Sequence, residues 1–433
     1  MAYSNNNIYV PSRNQSRSLV KDDATAIIPK GAIFIAALGF AQFCLFVALL
    51  GPVMVSMVLK AETLSGDSLA ITNIVGNVLG IGAIAALIGN VLFGYLSDRT
   101  RSRYGRRRPW IVGGVLFMAL SLYMISLADS VAVLLIAWFC AQLGANAAFG
   151  PFIATLSDQL PRTQYGKASA VIGIAQNVGV LAATWLASKL SGDMFLLFMV
   201  PAFIGVAGML GYALILKDPP SEEPATEFQL KNLLKAFWVN PVKHSDFGYA
   251  WLSRFLVIFS TFLFTTYRLP YVIEHFSSES NAVDIVFNGV LAYTICLVIC
   301  GYLAGKISDR LGKRKVFVFA SLVIFSIGTY SLIHLDSITQ FYIAEALLGA
   351  AFGIYTSVDM ALVLEVLPNP DQCGKDLGVF NIAGVLPQSL APLTGAILLN
   401  MTSGDPNYHL LLIVAGVSGL LGAITILPIK KVK

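Results

Sequence analysis

Four ionisable residues stand inside long apolar stretches of this 433-residue chain: Arg254 and Arg268 in one, Glu345 and Asp359 in another. An unpaired charge at the centre of a membrane span costs about 2.5–3.5 kcal/mol even on a lenient scale, so opposite charges at equal depth should find each other or water. Arg254 and Asp359 each lie a few residues from the same end of two stretches that run in opposite directions. At 1.5 Å per residue both are roughly 8–11 Å deep. Arg268 and Glu345 form a similar candidate pair toward the other surface. Such pairs can move protons. A carboxylate facing an arginine stays ionised, and if the arginine is drawn away the carboxylate can accept a proton. A static structural ion pair is the plainer alternative. Asp359, the deeper of the two acids and beside Thr356 and Ser357, is the better coupling candidate. Asp158 and Glu365 end their stretches and read as gate residues.

Neutral amides are the second group. Gln142 and Asn146 share a helix face by i,i+4 spacing, Gln176 and Asn177 sit mid-stretch, and Asn381 and Gln388 share a face beside Pro387 and Pro392. Asn73 and Asn77 repeat the spacing nearer a stretch end, where interhelical glue is the stronger reading. Amides inside apolar helices serve either as interhelical glue, at about 0.6 kcal/mol each, or as the lining of a solute path. With many tyrosines they suit a polyhydroxylated solute, whose unpaired hydroxyls would lose binding energy. The same groups would suit a zwitterion or a nucleoside.

The elements that must position these groups follow from composition. The chain is 56% apolar and only 12% charged, against about 25% charged in a soluble protein, and its mean hydropathy is +0.74. Apolar runs of span length recur throughout, so the chain reads as an all-α protein of the lipid bilayer. Twelve spans are expected at 32–58, 71–95, 110–128, 131–156, 167–190, 194–216, 247–275, 284–305, 316–335, 338–364, 376–400 and 408–428. They divide into an N-terminal tail (1–30), a six-helix bundle (31–216), a linker (217–246), and a second bundle with a short tail (247–433). The tail reads as retained and disordered rather than as a signal peptide. Within the linker, Phe228 to Trp238 could form a short amphipathic helix. The formal charge of +5 is clustered in loops on one side of the bilayer and does not call for nucleic acid. The five cysteines have no metal spacing and read as small packing residues.

Between the second and third spans lies Gly94-Tyr-Leu-Ser-Asp98-Arg99-Thr-Arg-Ser-Arg-Tyr-Gly105-Arg106-Arg107-Arg108-Pro109, with an echo at Gly305-Lys-Ile-Ser-Asp309-Arg310-Leu-Gly312-Lys313-Arg314-Lys315. The ends of the fourth and tenth spans also match, Ala154-Thr-Leu-Ser-Asp158-Gln-Leu-Pro161 against Ala361-Leu-Val-Leu-Glu365-Val-Leu-Pro368. Each half is therefore one copy of a duplicated unit, the two related by an axis along the membrane normal.

This loop and its echo resemble the signature of the major facilitator superfamily, and the likeness covers nearly the whole chain. The long form, D-R-T-R-S-R-Y-G-R-R-R-P-W, looks like the sucrose-transporter and glycoside–pentoside–hexuronide cation-symporter branches. The resemblance implies two six-helix bundles that rock about a central site. The gating loops would hold Gly94, Asp98, Arg99, Gly105, Arg106 and Arg107, with Asp309, Arg310, Gly312, Lys313 and Arg314 opposite. Asp98 would dock at the start of the eleventh span, at Gly374-Lys375-Asp376, while Arg106 or Arg107 pairs with it. Glycines in spans two (Gly76, Gly80, Gly82, Gly89) and eleven (Gly374, Gly378, Gly384, Gly395) would let those helices approach across the interface. The chain also departs from these branches. Gln142 stands where the sucrose-transporter pattern has an acid, that group's fifth-span arginine is missing, and so are the second-span acids of melibiose-type symporters. An arginine in the fourth span and a Gly-Pro in the fifth, typical of drug–proton antiporters, are absent too.

The function expected is secondary active transport of a small solute, a sugar or glycoside, by symport with a cation, taken as a proton. The protein is read as a monomer in the cell membrane, with no cofactor and no metal. The alternatives are a non-transporting sensor or receptor of the same fold, or a facilitator or exporter of another solute. Nothing in the sequence offers a nucleophile with a base, a metal cluster or a nucleotide-binding loop, so enzyme chemistry ranks last. Orientation follows from the basic residues: of the 29, all but Lys60, Lys189, Arg254 and Arg268 fall on one side if the N-terminus is cytoplasmic. A single cysteine at position 225 should therefore resist an impermeant reagent added outside intact cells. Labelling from outside would reverse the orientation.

Overall fold

The computed structural model describes residues 29–218, 243–276, 279–368, 373–401 and 405–432. Both tails' outer parts, most of the linker and its expected Phe228–Trp238 helix lie outside these residues. Backbone in hydrocarbon must satisfy its own polar groups, and continuous helices do so. Twelve are long and apolar enough to span a bilayer. They are α1 (Ala32–Leu64), α2 (Ser68–Arg99), α3 (Arg108–Ser126), α4 (Val131–Gln159), α5 (Arg162–Leu190), α6 (Met194–Ile215), α7 (Ser245–Phe276), α8 (Glu279–Leu311), α9 (Arg314–Ser331), α10 (Ile338–Val366), α11 (Cys373–Leu399) and α12 (Tyr408–Ile426).

Five of the helices that start at the face opposite the basic loops carry side-chain N-caps. Asp67, Ser130, Asp193, Ser337 and Asn407 accept from a backbone N–H three residues on, opening α2, α4, α6, α10 and α12. Each satisfies a donor that the helix leaves free. At the basic face the first turn of α3 is capped from outside: the backbone N–H groups of Arg107 and Arg108 donate to Asp218 at 2.6 and 2.9 Å.

The helices run further than hydropathy alone implies. Lys60, expected in an outer loop, lies in the last turns of α1, is buried, and donates from Nζ to the Ser126 carbonyl at 3.1 Å. A lysine at the carbonyl end of α3 meets both a lone acceptor and the negative end of the helix dipole. In the second half Tyr271 takes the matching role, its hydroxyl donating to the Leu332 carbonyl beyond α9. Near the same end, α1 contains one π-helical turn at Pro52–Ser56, as expected where a proline supplies no N–H.

Packing repeats between the halves. α1 packs on α5 and α6, α3 on α4 and α6, and α2 on α4; α7 packs on α11 and α12, α9 on α10 and α12, and α8 on α10. The two most extensive contacts between the halves, α2 with α11 and α5 with α8, exchange with each other under the same two-fold relation, and α7 adds smaller ones to α2 and to the π-turn of α1. The architecture is thus two six-helix bundles meeting along a seam.

Small residues set how closely the helices approach. A Cβ on Gly349 would lie 2.1 Å from the Tyr293 carbonyl oxygen, and one on Gly353 2.2 Å from that of Leu297, so α8 and α10 touch backbone to backbone. Across the seam, Gly76 faces Ala396, Pro392 and Tyr267, and Gly80 faces Leu393. Gly82 and Gly89 do not face α11; they turn toward Trp138 and Asn146 of α4. Gly395 faces Tyr267 and Gly384 lies beside Arg254, both on α7, while Gly374 and Gly378 lie outside the described side chains. Because α8 backbone cannot yield like a side chain, Gly349→Ala should destabilise by about 1–3 kcal/mol. Gly113→Ala in α3, where a Cβ meets nothing within 4 Å, should be neutral or slightly stabilising. Thermal unfolding of both variants in detergent compares them directly.

Candidate functional site

The two arginines of α7 meet the two acids of α10. Arg254 Nη1 lies 2.9 Å from Asp359 Oδ2, and Arg268 Nε lies 2.8 Å from Glu345 Oε1. The helices are antiparallel, so one pair sits toward the basic face and the other toward the far face. The Arg254 guanidinium also lies 4.7 Å from the Phe380 ring centroid of α11, a favourable cation–π contact. Residues Thr356 and Ser357, just before Asp359, are exposed. Arg268 is 4% and Glu345 0% exposed, and the Arg268 guanidinium lies 5.4 Å from the Phe264 ring and 5.8 Å from that of Tyr293.

A charge network closes the basic end of each half. Arg107 bridges Asp98 at 2.6 Å and Asp158 at 2.9 Å, and its Nη1 donates to Ser97 Oγ. Arg106 donates to the second oxygen of Asp158 at 2.7 Å. In the other half Arg314 bridges Asp309, at 4.0 Å, and Glu365. Arg108 caps the end of α6 by donating to the Leu216 carbonyl, and Lys315 caps the end of α12 through the Leu427 carbonyl. Gly105 and Gly312 have φ of +94° and +62°, a left-handed backbone that suits glycine. Burial works against the charge of Arg107, but hydrogen bonds and charges from Asp158 and Asp98 outweigh it and hold the guanidinium above the ordinary arginine range. Gly94 has open space around it and the Asp98 side chain is 58% exposed. Arg99 stacks on Tyr95, its guanidinium 4.1 Å from the ring, and Arg310 and Lys313 end α8 and begin the turn beyond. The start of α11 where Asp98 was expected to dock lies outside the described side chains.

The six amides behave differently from glue. Asn146, Asn177 and Gln388 each donate to the carbonyl one turn earlier in their own helix. Gln176, Asn381 and Gln388 are exposed, whereas Gln142 and Asn146 are buried against α2. Among the described residues none of the six forms a side-chain hydrogen bond to another helix. Asn73, of the pair for which interhelical glue is the stronger expectation, does bridge helices. It exchanges two hydrogen bonds with Asn400, at 3.0 and 2.5 Å, across the seam at the far face. Beside it the Tyr267 hydroxyl donates to the Pro392 carbonyl at 2.5 Å. Asn400, Tyr267, Ser97 and Asp218 were not singled out from sequence. Asp218 alone left a trace there, an acid just past a span and ahead of two prolines.

A twelve-helix membrane protein with two equivalent bundles, a duplicated charged loop and paired charges inside one bundle has the build of a secondary transporter. The chain belongs to the Major Facilitator Superfamily, whose profile matches residues 36–291 and 250–433. It is 25% identical to the MFS transporter asaE of Aspergillus flavus over 72% of this chain and 68% of that one. Over a short segment, 10% of this chain and 8% of the other, it is 56% identical to the uncharacterized symporter sll1374 of Synechocystis. The crystal structure of the nucleoside transporter NupG superposes with a TM-score of 0.70 at 15% identity, over 93% of this chain and 99% of that one. This likeness concerns the fold.

Arg107 bridges two carboxylates while buried, whereas Arg314 is more exposed and one of its two contacts is long. Hydrogen bonds to charged groups contribute roughly 1.5–3 kcal/mol, so Arg107→Ala should lower the unfolding midpoint clearly more than Arg314→Ala. Parallel thermal melts in the same detergent would check the order, and equal losses would contradict it.

Proposed function

We propose that this protein is a secondary active transporter of a sugar or glycoside, driven by proton symport through alternating access. It would act as a monomer in the plasma membrane, with both termini and the 217–246 linker cytoplasmic. The observation that carries the proposal is the Arg254–Asp359 pair. It sits on facing helices next to Phe380 and Gly384 of α11, so a solute or helix shift at the seam can disturb it. Arg254 facing Asp359 favours its ionised form, and drawing Arg254 away would let Asp359 accept a proton. A potential of 100 mV then supplies about 2.3 kcal/mol per charge moved. Gln142, Asn146, Gln176, Asn177, Asn381 and Gln388 would face the solute, and their unspent amide groups suit a polyhydroxylated one. The short segment shared with a protein named a symporter also favours cation coupling.

The seam is closed at the far face, taken as the outside, by Asn73–Asn400 and the glycine contacts. This arrangement suits the inward-facing half of the cycle. With the outside open, the loops from Gly94 to Arg107 and from Asp309 to Arg314 would form the closed inner gate.

Uptake of labelled sugars, glycosides and nucleosides into proteoliposomes, with and without an imposed pH gradient, tests the proposal. Accumulation of nucleosides alone would replace the solute class, and accumulation indifferent to the pH gradient would remove the proton. Asp359→Asn should abolish accumulation against a gradient yet leave solute exchange measurable. If the variant still accumulates solute in a pH-dependent way, Asp359 is not the carrier.

A further inference from the structure

The two ion pairs form a ladder. Arg254 and Arg268 are fourteen residues apart on α7, as are Glu345 and Asp359 on α10, an interval that returns to nearly the same helix face and spans about 21 Å. The rungs differ in their surroundings. The far rung is sealed: neither Glu345 oxygen has a hydrogen bond beyond its ionic contact with Arg268. The groups facing Glu345 are Arg268 from α7 and Tyr293 from α8. Those facing Asp359 are Arg254 from α7 and Tyr355 from one turn earlier on its own helix. The Asp359 rung is more open, with the Arg254 side chain 20% exposed.

The sealed rung abuts the seam. Tyr267, next to Arg268, holds the Pro392 carbonyl of α11, and its hydroxyl lies where a Cβ on Gly76 of α2 would come within 2.4 Å. With the seam closed, the Arg268 charge has one partner. Neutralising that partner strands a buried guanidinium, and removing one member of a buried pair is far more costly than removing both. Water can relieve the stranded charge, and parting Tyr267, the chain neighbour of Arg268, from α2 and α11 would open a way for it.

We propose that Glu345 is a second proton station, reached from the outside, and that its protonation unlocks the outer seam through Arg268 and Tyr267. The seam recloses only after the proton has left Glu345. On the inward route the Glu345 O–H bond breaks and an O–H bond forms on Asp359, so Arg268 regains its ionised partner as Arg254 loses one. Total charge is conserved, and the more exposed of the two arginines is left unpaired. The rings of Tyr293, Phe352 and Tyr355 lie in a row between the stations, with centroids 6.4 and 6.0 Å apart; Phe352 can neither take nor give a proton, so the proton crosses on water admitted by the opened seam. The buried Tyr355 hydroxyl faces Asp359 and has no other hydrogen-bond partner. That hydroxyl is a stop on the route. On this scheme the present arrangement, with both rungs paired, belongs to the proton-free, inward-facing state. The inward direction of transfer rests on the symport reading; the lock does not.

The test reads the outer seam without any solute. Thr72 lies on the Gly76–Gly80 face of α2 and is 1% exposed. Thr72→Cys is labelled by an impermeant maleimide from outside, corrected at each pH for thiol reactivity by labelling the same cysteine in the unfolded chain. Corrected labelling should rise as the outer pH falls, because the pair that holds the seam is lost when Glu345 is protonated. Added Glu345→Gln should label at least about tenfold faster at neutral pH, equivalent to about 1.4 kcal/mol, and lose the pH dependence. Added Asp359→Asn should keep it. The double change Arg268→Gln with Glu345→Gln strands no charge and should label slowly at every pH. Slow labelling in Glu345→Gln would overturn the proposal. Should that variant not reach the membrane, the double variant decides: pH-dependent opening that survives in it refutes the lock, and its loss supports it. Labelling that follows these expectations while uptake ignores a pH gradient would sink proton symport and leave the lock standing.

Discussion

Charge inside this protein is constrained by the medium around it. In hydrocarbon a guanidinium or carboxylate must be paired or wetted, and the interior of the second bundle obeys this with two rungs between α7 and α10. The remaining charge is expelled to the helix ends, where it does a second job. Arg108, Lys315 and Lys60 each complete a helix terminus whose carbonyls would otherwise be unsatisfied, and Arg107 and Arg314 tie the ends of neighbouring helices together. One rule of electrostatics thus positions both the interior pairs and the basic face.

The two halves repeat in topology and loop chemistry but not in their interiors. Counting back equally from Asp158 and Glu365 reaches Trp138 in α4 and Glu345 in α10, then Gln142 opposite Gly349 and Asn146 opposite Gly353. On the facing helices the same count from Asp98 and Asp309 reaches Gly82 and Tyr293. At these positions the small residue of the first half, Gly82, is on α2 and receives Trp138, whereas Gly349 and Gly353 of the second are on α10 and press against the Tyr293 and Leu297 carbonyls. Large and small have changed sides while the packing scheme of the helices stayed the same. The exchange frees α10 to carry acids on the face turned to α7, whereas the matching region of α4 carries amides and an indole.

Much of the fold was legible in the linear chain, because a bilayer converts hydropathy directly into helices and the basic residues into loop positions. The ion pairs were legible for a similar reason: few charges lie within spans, and depth counted along two antiparallel helices matched Arg254 with Asp359 and Arg268 with Glu345. Duplication carried Asp158 and Glu365 into view. Helix ends were less legible, since a helix can project beyond the hydrocarbon on polar residues, as α1 does to reach Lys60.

What the chain could not declare is which faces meet. Asn73 and Asn400 are ordinary amides in sequence, far apart and unrelated by the repeat; their mutual hydrogen bonds exist because two bundles close at one end. Gly76 and Gly82 look alike in the same helix, yet one faces the other bundle and the other its own. Spacing along one helix determines angle and depth, both local properties that the 3.6-residue turn fixes. Which neighbour occupies a given angle depends on how all twelve helices pack at once, and that was decided only by the tertiary structure.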